Sequence, residues 1–270
     1  MTPFRLAAVG DNCIDRFQAP VGETYVGGNA INVAVQLALL GHQSFYFGAV
    51  GRDRGGTQVR QLLEQNGVRL DGLKERDVNT AYTDIGITPD GDRVFLYEDF
   101  GACAGYRPDA EDLALLKTMD HVHIGWLDDG GALRRALAAE GVSVSQDVSV
   151  NAAPANLGVE GLNIAFGSGG DGDQDAERLA DGFLSRGAKL AVVTRGALGS
   201  LAIDGTELVS TGSHPVDVVD TTGAGDSFIA GFILAHLEGR PLSERLKAGR
   251  DLAARTCTHV GGFPQQPHTL

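Results

Sequence analysis

One segment constrains the fold more than any other. Positions 220–228 read Asp-Thr-Thr-Gly-Ala-Gly-Asp-Ser-Phe. They follow the apolar run 216–219, which predicts a strand, and they precede apolar residues at helical spacing that predict a helix over 225–237. The first amides of a helix have no partner inside it, and the helix dipole is positive at that end. A glycine-rich turn into a helix is therefore suited to bind an anion.

Asp226 places a carboxylate beside this turn. Transfer of a phosphoryl group to an alcohol needs a group that accepts the hydroxyl proton and donors that surround the phosphate. Asp226 is the candidate catalytic base, and Gly223, Ala224 and Gly225 are candidates to offer their backbone amides. The helix N-terminus is expected to favour the ionised carboxylate. The structural alternatives are a helix cap for Asp226 and ordinary strand-to-helix punctuation for the glycines.

The segment resembles a signature of the PfkB, or ribokinase-like, family of sugar and nucleoside kinases, Asp-Thr-x-Gly-Ala-Gly-Asp-x-Phe. Positions 27–34, Gly-Gly-Asn-Ala-Ile-Asn-Val-Ala, resemble the other signature of that family. Because one signature is early and the other late, the resemblance covers nearly the whole chain. It implies an α/β fold, specifically a ribokinase-like three-layer α/β/α arrangement with a mostly parallel central sheet and a small β lid. It also implies an ATP-dependent carbohydrate kinase.

Length and charge agree with that expectation. A chain of 270 residues fits one large α/β domain, so residues 1–270 are expected to form a single kinase domain with lid strands inserted at about 12–27 and 78–100. No apolar run is long enough for a membrane span, and no cleavable signal is recognised, so a cytoplasmic location is expected. The 35 acidic and 22 basic residues argue against nucleic acid and anionic lipid as partners.

Strands and helices alternate along the chain. Strands are predicted at 4–9, 44–50, 121–127, 142–148, 162–166 and 189–194, with helices at 30–40, between 53 and 66, and at 109–117, 132–140, 175–186 and 242–259. Such alternation predicts a parallel sheet with helices on both faces. Asn29 is expected to cap the first helix. Shorter strands at 14–17, 23–26, 80–88 and 93–97, the last two joined by a turn at 89–92, predict the lid. A further hairpin is predicted from 200–203 and 207–211.

The sugar site is predicted from polar residues near the first strand and the first helix. A polyol is held by carboxylates and amides that accept and donate in fixed directions. Asp11 ends the first predicted strand, which is where ligands bind in open α/β sheets. The resemblance places the sugar on Asp11, Gly27, Gly28 and Asn32, and Arg93 of the lid hairpin is added as a residue that reaches the substrate on closure. A plain helix cap is the alternative for the glycines.

The nucleotide and metal sites are predicted from turns after later strands. Thr194 and Gly196 resemble the turn that meets ATP phosphates, and Arg195 between them supplies a cation. Ser168 and Asp171 stand where relatives carry Asn-x-x-Glu, the motif tied to magnesium and phosphate. The nucleotide candidates are therefore Thr194, Gly196, Ser168, Gly223 and Gly225, and the metal candidates are Asp171 and Asp220. The resemblance implies ATP and Mg²⁺ as cofactors, and K⁺ near Asp220, whose alternative role is to hydrogen-bond the turn.

Further polar and aromatic residues are candidates for the pocket wall, each with a structural alternative. They are His123, Trp126, Asp128 and Asp129 after one strand, and Glu98 and Asp99 near the lid hairpin. A core histidine, a packing tryptophan and solvated surface charges are the respective alternatives.

The head segment 10–15, Gly-Asp-Asn-Cys-Ile-Asp, most resembles the fructoselysine 6-kinase branch of the family. The predicted function is transfer of the γ-phosphate of ATP to a hydroxyl of a ketose or fructosamine. Kinases of ribose, fructose or ketodeoxygluconate remain alternatives, as does an inactive sugar or nucleotide sensor. The expected partners are a small sugar and ATP, and a homodimer through the lid is predicted because several relatives pair in that way.

Overall fold

The computed structural model describes residues 2–88, 93–170 and 173–270. The strands are β1 (Arg5–Val9), β2 (Cys13–Phe17), β3 (Glu23–Gly27), β4 (Gln43–Gly51), β5 (Arg69–Arg76), β6 (Tyr82–Ile87), β7 (Arg93–Asp99), β8 (His121–Ile124), β9 (Val144–Asp147), β10 (Ile164–Ser168), β11 (Ala191–Thr194), β12 (Ser200–Ile203), β13 (Leu208–Thr211) and β14 (His268–Thr269). The helices are α1 (Asn29–Leu39), α2 (Arg54–Gln65), α3 (Ala110–Leu116), α4 (Ala132–Ala139), α5 (Asp173–Ser185), α6 (Ala224–Leu237) and α7 (Leu242–Thr256).

The main sheet has nine strands in the order β13-β12-β11-β10-β9-β8-β1-β4-β5. Strand β12 pairs antiparallel with both β11 and β13 at one edge, and the other neighbouring pairs are parallel. Strand β1 lies between β4 and β8, so the chain moves outwards from β1 in both directions. Such a reversal of strand order opens a crevice at the carboxyl ends of the strands. The loop after β1, which carries Asp11, begins at this crevice.

Helices cover both faces of the main sheet, as the alternation of elements predicts. Along β1, Leu6 and Ala8 belong to one buried cluster, which also takes in the inward faces of α1, α2, α6 and α7. Ala7 and Val9 point the other way, into a cluster with α3, α4 and α5. Successive side chains of a strand face opposite sides, so each strand supplies both cores. Among the described residues no helix combines the length and hydropathy that crossing a bilayer requires.

A second, smaller sheet has the order β14-β3-β2-β6-β7. It contains the four strands predicted outside the main layer, while the predicted turn at 89–92 lies outside the described residues. Strand β14 adds two residues beside β3, with His268 opposite Thr24. A pair of residues carries no periodic pattern, so β14 was not predicted. Strand β5 of the main sheet was also missed, because its alternating charges resemble a solvated loop.

The strand predicted at 216–219 is wrong. These residues pair with no strand of the described chain, and Val218 and Val219 are each 61% exposed. Their backbone runs along the surface instead, where Val216 and Val218 line a cavity described below. The apolar run before the glycine-rich turn is therefore an exposed segment beside the cavity, and it is not a strand. Periodicity alone does not separate these two cases, because both give short runs of β-branched residues.

Candidate active site

The N-terminus of α1 is capped from a distant loop. The carboxylate of Asp11 accepts hydrogen bonds from the backbone amides of Asn29 at 2.8 Å and Ala30 at 3.1 Å. The amide of Trp126, after β8, donates to the same carboxylate at 3.1 Å. The prediction that Asn29 caps α1 is therefore wrong: Asn29 is the first helical residue, and Gly28 precedes it without a side-chain cap. Asp11 orders the crevice by joining two segments, and its contact with sugar stays a prediction.

Gly28 is required for this approach. Its φ of 112° lies in the region that L side chains rarely adopt. A Cβ there would stand 2.8 Å from the Asn12 Cα and 3.0 Å from Asp11 Oδ2. A Cβ on Gly27 would stand 3.0 Å from Asp15 Oδ2. The two glycines thus let carboxylates of the β1–β2 segment approach the helix, and a direct contact between either glycine and a sugar stays a prediction.

Asp226 lies where the two predicted signatures meet. Its Oδ1 accepts a hydrogen bond from Asn29 Nδ2 at 2.7 Å, and its Oδ2 accepts one from Asn32 Nδ2 at 2.6 Å. The residue is half-buried, in the first turn of α6. The side chain therefore does not serve as a cap turned into the protein. It faces the N-terminus of α1, next to the loop of Asp11.

The expected ionisation of Asp226 needs correction. The pKa of its carboxyl is raised to about 8: burial is the main cause, the charges of Asp147 and Asp11 add to it, and the hydrogen bonds from Asn32 and Asn29 oppose the rise. Burial also raises the pKa of Asp147 and of Asp11. Three carboxyl groups share a region of low solvation, and this outweighs the helix N-terminus on which the sequence argument relied.

The glycine-rich turn is held against the segment after α7. Gly223 has a φ of 73°, and a Cβ there would stand 2.2 Å from the Gly262 Cα. Asp220 accepts hydrogen bonds from the amide of Thr222 at 2.9 Å and from the amide of Gly261 at 2.8 Å. The carboxylate of Asp220 thus ties the start of the turn to the segment after α7. This matches its predicted alternative role, and a role in binding a cation stays a prediction.

The first amides of α6 differ in their surroundings. The amide of Ala224 donates to the carbonyl of Thr221 at 3.2 Å, while that of Ser227 donates to Gly223 at 2.9 Å. A Cβ added to Gly225 would meet no heavy atom within 4 Å. Gly225 therefore faces open space at the helix N-terminus, where a phosphate can approach the backbone.

A cavity of about 490 Å³ opens beside this turn, within the usual range for small-molecule sites. Of the predicted nucleotide residues, Ser168, Thr194, Gly196 and Gly225 line it, and Gly223 does not. Ala224, a predicted donor to the phosphate, also lines it. Most of the wall was not predicted, and it consists of Ala197, Gly199, Ser200, Ser213, His214, Pro215, Val216, Val218, Thr221, Phe228, Arg250, Ala253, Ala254 and Cys257. Thr221 and Phe228 belong to the glycine-rich signature, and the other residues come from separate elements that only the fold brings together.

Arg195, the predicted cation, does not line this cavity, whereas Arg250 does. Arg195 is buried and donates to the carbonyl of Leu198 at 3.1 Å, and it is not among the lining residues. Arg250, on α7, lines the cavity and contacts Asp251 at 2.8 Å. A helical arginine beside an aspartate reads as a surface ion pair in sequence, which is why it was not singled out.

The remaining candidates have mostly structural surroundings. Asp129 accepts hydrogen bonds from the amides of Gly131 and Leu133 at the start of α4, and Asp128 accepts one from Asn156. Asp99 accepts from the amide of Gly101, and Glu98 is exposed. Trp126 stacks on Phe100 with ring centroids 4.4 Å apart. His123 is fully buried. Asp171 and the side chain of Arg93 lie outside the described residues.

No group of three or more His, Cys, Asp or Glu side chains converges as a metal site within the described ranges 2–88, 93–170 and 173–270. The carboxylates of Asp11, Asp147 and Asp226 accept hydrogen bonds from backbone or side-chain amides of Asn29. Mg²⁺ commonly keeps few protein ligands and is held mainly by substrate phosphates.

Comparison with known proteins gives a consistent result. The family model described as pfkB family carbohydrate kinase matches residues 15–155 and 157–268. The chain is 34% identical over 260 residues to fructoselysine 6-kinase of Escherichia coli (strain K12), covering 96% of this chain and 99% of that protein. It is 32% identical over 266 residues to fructosamine kinase FrlD of Bacillus subtilis (strain 168), covering 96% and 93%.

Among solved structures, Arabidopsis thaliana ribokinase complexed with ribose and ATP superposes with a TM-score of 0.86 at 24% identity, covering 97% of this chain and 96% of that one. At this identity the match concerns the fold. It confirms the expected ribokinase-like α/β architecture with a mostly parallel central sheet.

Proposed function

The chain belongs to the pfkB family of carbohydrate kinases, and from this premise we propose that it transfers the γ-phosphate of ATP to a fructosamine, of which fructoselysine is the leading candidate. The observation that carries the proposal is the position of Asp226. Its carboxylate meets Asn29 and Asn32 on one side of the glycine-rich turn. Gly225 of the same turn lines the 490 Å³ cavity.

Asp226 acts as the base in the proposed reaction. A phosphoryl-transfer transition state is loose, so the acceptor hydroxyl loses its proton late and orientation matters more than basicity. Hydrogen bonds to both carboxylate oxygens hold Asp226 in one direction. The raised pKa makes its carboxylate a better proton acceptor once it is ionised, because a base is most effective when its pKa lies near the working pH.

Gly225 offers the approach to the transferred phosphate. Because a Cβ at Gly225 would meet nothing within 4 Å, phosphate oxygens can reach the backbone of α6 at its positive end. The predicted amide of Ala224 is partly engaged by Thr221, so Gly225 carries more of this role than Ala224. Gly223 serves by its positive φ, which turns the chain into the helix.

ATP is proposed to occupy the cavity, with its phosphates towards α6. Ser168, Thr194 and Gly196 line the side formed by β10 and β11, and Arg250 adds positive charge from α7. When Mg²⁺ is bound, it neutralises charge on the transferring phosphates. We also propose that K⁺ binds near Asp220, and the support is that the carboxylate of Asp220 already orders the turn.

The fructosamine class is preferred because two relatives that align with 96% of this chain are named fructoselysine 6-kinase and fructosamine kinase. The sugar is proposed to lie between Asp226 and the segment of Asp11, Gly27, Gly28 and Asn32. These elements already touch through Asn29, whose amide donates to Asp11 and whose side chain donates to Asp226. Kinases of other sugars share this frame, so the substrate test must compare them directly.

A homodimer through the small sheet is also proposed. Strand β7 lies at the edge of that sheet and exposes four consecutive apolar side chains, Val94, Phe95, Leu96 and Tyr97, of which Phe95 is 75% exposed. Monomeric proteins rarely expose such a continuous edge, because it invites pairing with another chain. A second copy of the same sheet would cover it.

The experiment is Mg²⁺-dependent ADP release from ATP, measured across fructoselysine, other fructosamines, fructose, ribose and ketodeoxygluconate. The proposal expects the highest kcat/KM with a fructosamine. Highest kcat/KM with an unmodified sugar would move the assignment to another branch of the family. Binding of a fructosamine by calorimetry without ADP release would identify a sensor.

A further inference from the structure

A continuous row of buried polar side chains runs from the interior of the main sheet to Asp226. His121 Nδ1 lies 2.8 Å from Ser143 Oγ, and His121 Nε2 lies 2.8 Å from Ser145 Oγ. Ser145 Oγ also lies 3.0 Å from His123 Nδ1. His123 Nε2 lies 3.3 Å from Asn29 Oδ1. The row therefore joins strands β8 and β9 to the first residue of α1.

Asn29 forms the end of the row nearest the carboxylates. Its Nδ2 donates to Asp226 Oδ1 at 2.7 Å and to Asp147 Oδ2 at 3.0 Å. An amide nitrogen carries two hydrogens, and both are used here. The reversed amide would place an oxygen against two carboxylates. With the nitrogen towards Asp226, the amide donates to both ionised carboxylates and leaves its oxygen for His123.

The orientation of Asn29 then determines which atom donates and which accepts at each step of the row. Because Asn29 presents Oδ1 to His123, the Nε2 of His123 must carry the hydrogen. A neutral imidazole with hydrogen on Nε2 accepts at Nδ1, so Ser145 donates to it. Ser145 in turn accepts from His121 Nε2, and Ser143 donates to His121 Nδ1. One tautomer of each histidine satisfies every member.

We propose that His123 is a positioning residue for the kinase reaction, which holds the Asn29 amide with its nitrogen towards Asp226, and that Ser145 and His121 fix the ring of His123. This proposal rests on the proposed function of Asp226 as the base. It assigns to β8 and β9 a part in the reaction that neither signature contains.

The surroundings support a neutral and fixed His123. The ring is fully buried, and burial lowers the pKa of His123 to about 3, so it remains uncharged at working pH. Gly125 gives the Asn29 amide its space, because a Cβ there would stand 2.6 Å from Asn29 Oδ1. Phe166 packs edge-on against the ring, with centroids 6.2 Å apart.

The charged groups that face Asp226 make its ionisation depend on the orientation of the Asn29 amide. Asp147 from the end of β9 and Asp11 from the loop after β1 both oppose its ionisation. Asn29 and Asn32 donate to the charged form and favour it. If His123 no longer held Asn29, the amide could rotate and present its oxygen to Asp226. The carboxylate would then lose one of its two side-chain donors.

The test compares His123→Leu, which removes the donor, with His123→Gln, whose side-chain amide can still donate to Asn29. Ser44→Ala is the matched control, since Ser44 is a buried hydroxyl that donates to Ala34 away from the site. The titration of Asp226 is followed by carboxyl carbon NMR of the labelled full chain, with Asp226→Asn used to assign the signal. This readout requires no kinase activity.

The proposal expects His123→Leu to raise the pKa of Asp226 by about one to two units, the size of one hydrogen bond to a charged group. It expects kcat at pH 7 to fall at least about tenfold with a smaller change in KM. His123→Gln should restore most of both values, and Ser44→Ala should change neither. If His123→Leu lowers only Tm and leaves the pKa of Asp226 in place, the positioning role is refuted.

Ser145→Ala provides a second, milder variant should His123→Leu fail to fold. It removes only the hydroxyl that fixes the His123 tautomer and should raise the pKa of Asp226 in the same direction. An unchanged pKa in Ser145→Ala would also refute the role of the row. An inactive wild-type protein with the expected NMR shifts would refute the proposed function and leave the positioning of Asp226 supported.

Discussion

The side-chain amide of Asn32 donates to the carboxylate of Asp226 at 2.6 Å, between positions 194 apart in the chain. This contact joins the two segments whose sequences carry the family resemblance. It forms because α1 and α6 pack on the same face of the main sheet, with their N-termini at the carboxyl ends of the strands. Asn32 of the early segment thus helps to orient Asp226, the proposed base in the late segment.

The raised pKa of Asp226 predicts a specific pH profile. A base must be ionised, and the free protein reaches that form only as the pH rises through about 8. We expect kcat/KM to fall about tenfold for each unit below this value. Cations that accompany ATP favour the ionised form, so the acid limb of kcat should lie at lower pH. A flat kcat/KM between about pH 6 and 9 would contradict this role.

Gly225→Val should separate nucleotide binding from folding. The added side chain enters the open space at the start of α6, so Tm should change little while KM for ATP rises and kcat falls. Sugar affinity measured without nucleotide should stay near the wild-type value. Gly182→Val is the control, because Gly182 lies in α5 and a Cβ there also meets nothing within 4 Å. Equal kinetic losses in both variants would argue against a phosphate site at Gly225.

Phe95→Asp should disrupt the proposed dimer. A charge in the middle of the exposed apolar edge of β7 cannot be covered by a second copy without a large desolvation cost. We expect the mass measured by light scattering to halve relative to the wild-type protein. Leu208→Asp serves as the control, since Leu208 is 48% exposed on β13 of the other sheet. A monomeric wild-type protein at working concentration would overturn the dimer.

Trp126 should report sugar binding by its fluorescence. It is the single tryptophan of the chain, its amide donates to Asp11, and its ring stacks on Phe100, which follows β7. A sugar beside Asp11, or a movement of the small sheet, changes the environment of this ring. We expect a saturable emission change on titration with fructosamine, reduced in Phe100→Leu. No change at saturating substrate would place the sugar away from Asp11.

The sequence predicted the elements well where hydrophobic periodicity was strong, as in α1, α6 and the parallel strands. It failed at β5 and β14, and at residues 216–219, because charge alternation, extreme shortness and an exposed apolar run each mimic another structure. The motifs singled out Asp226 and Asn32, and the structure brings these two residues into contact. They gave no indication of His123 and Ser145 as partners, since strands β8 and β9 become neighbours of α1 only through the fold.

The ionisation of Asp226 was also beyond the sequence. Its local position, in the first turn of a helix, favours the charged form. The opposing effect comes first from burial, and then from the charges of Asp147 and Asp11, whose side chains approach from two other elements. A pKa depends on every charge and every loss of solvent around the group, so a local motif cannot determine it.

Turnover of Asp226→Asn with a fructosamine and Mg²⁺-ATP is the most direct test of the central claim. The substitution keeps the size of the side chain and removes its ability to accept a proton. We expect a folded protein with near-normal ligand affinities and a kcat lower by about 10²-fold to 10⁴-fold. A kcat close to that of the wild-type protein would contradict the assignment of Asp226 as the catalytic base.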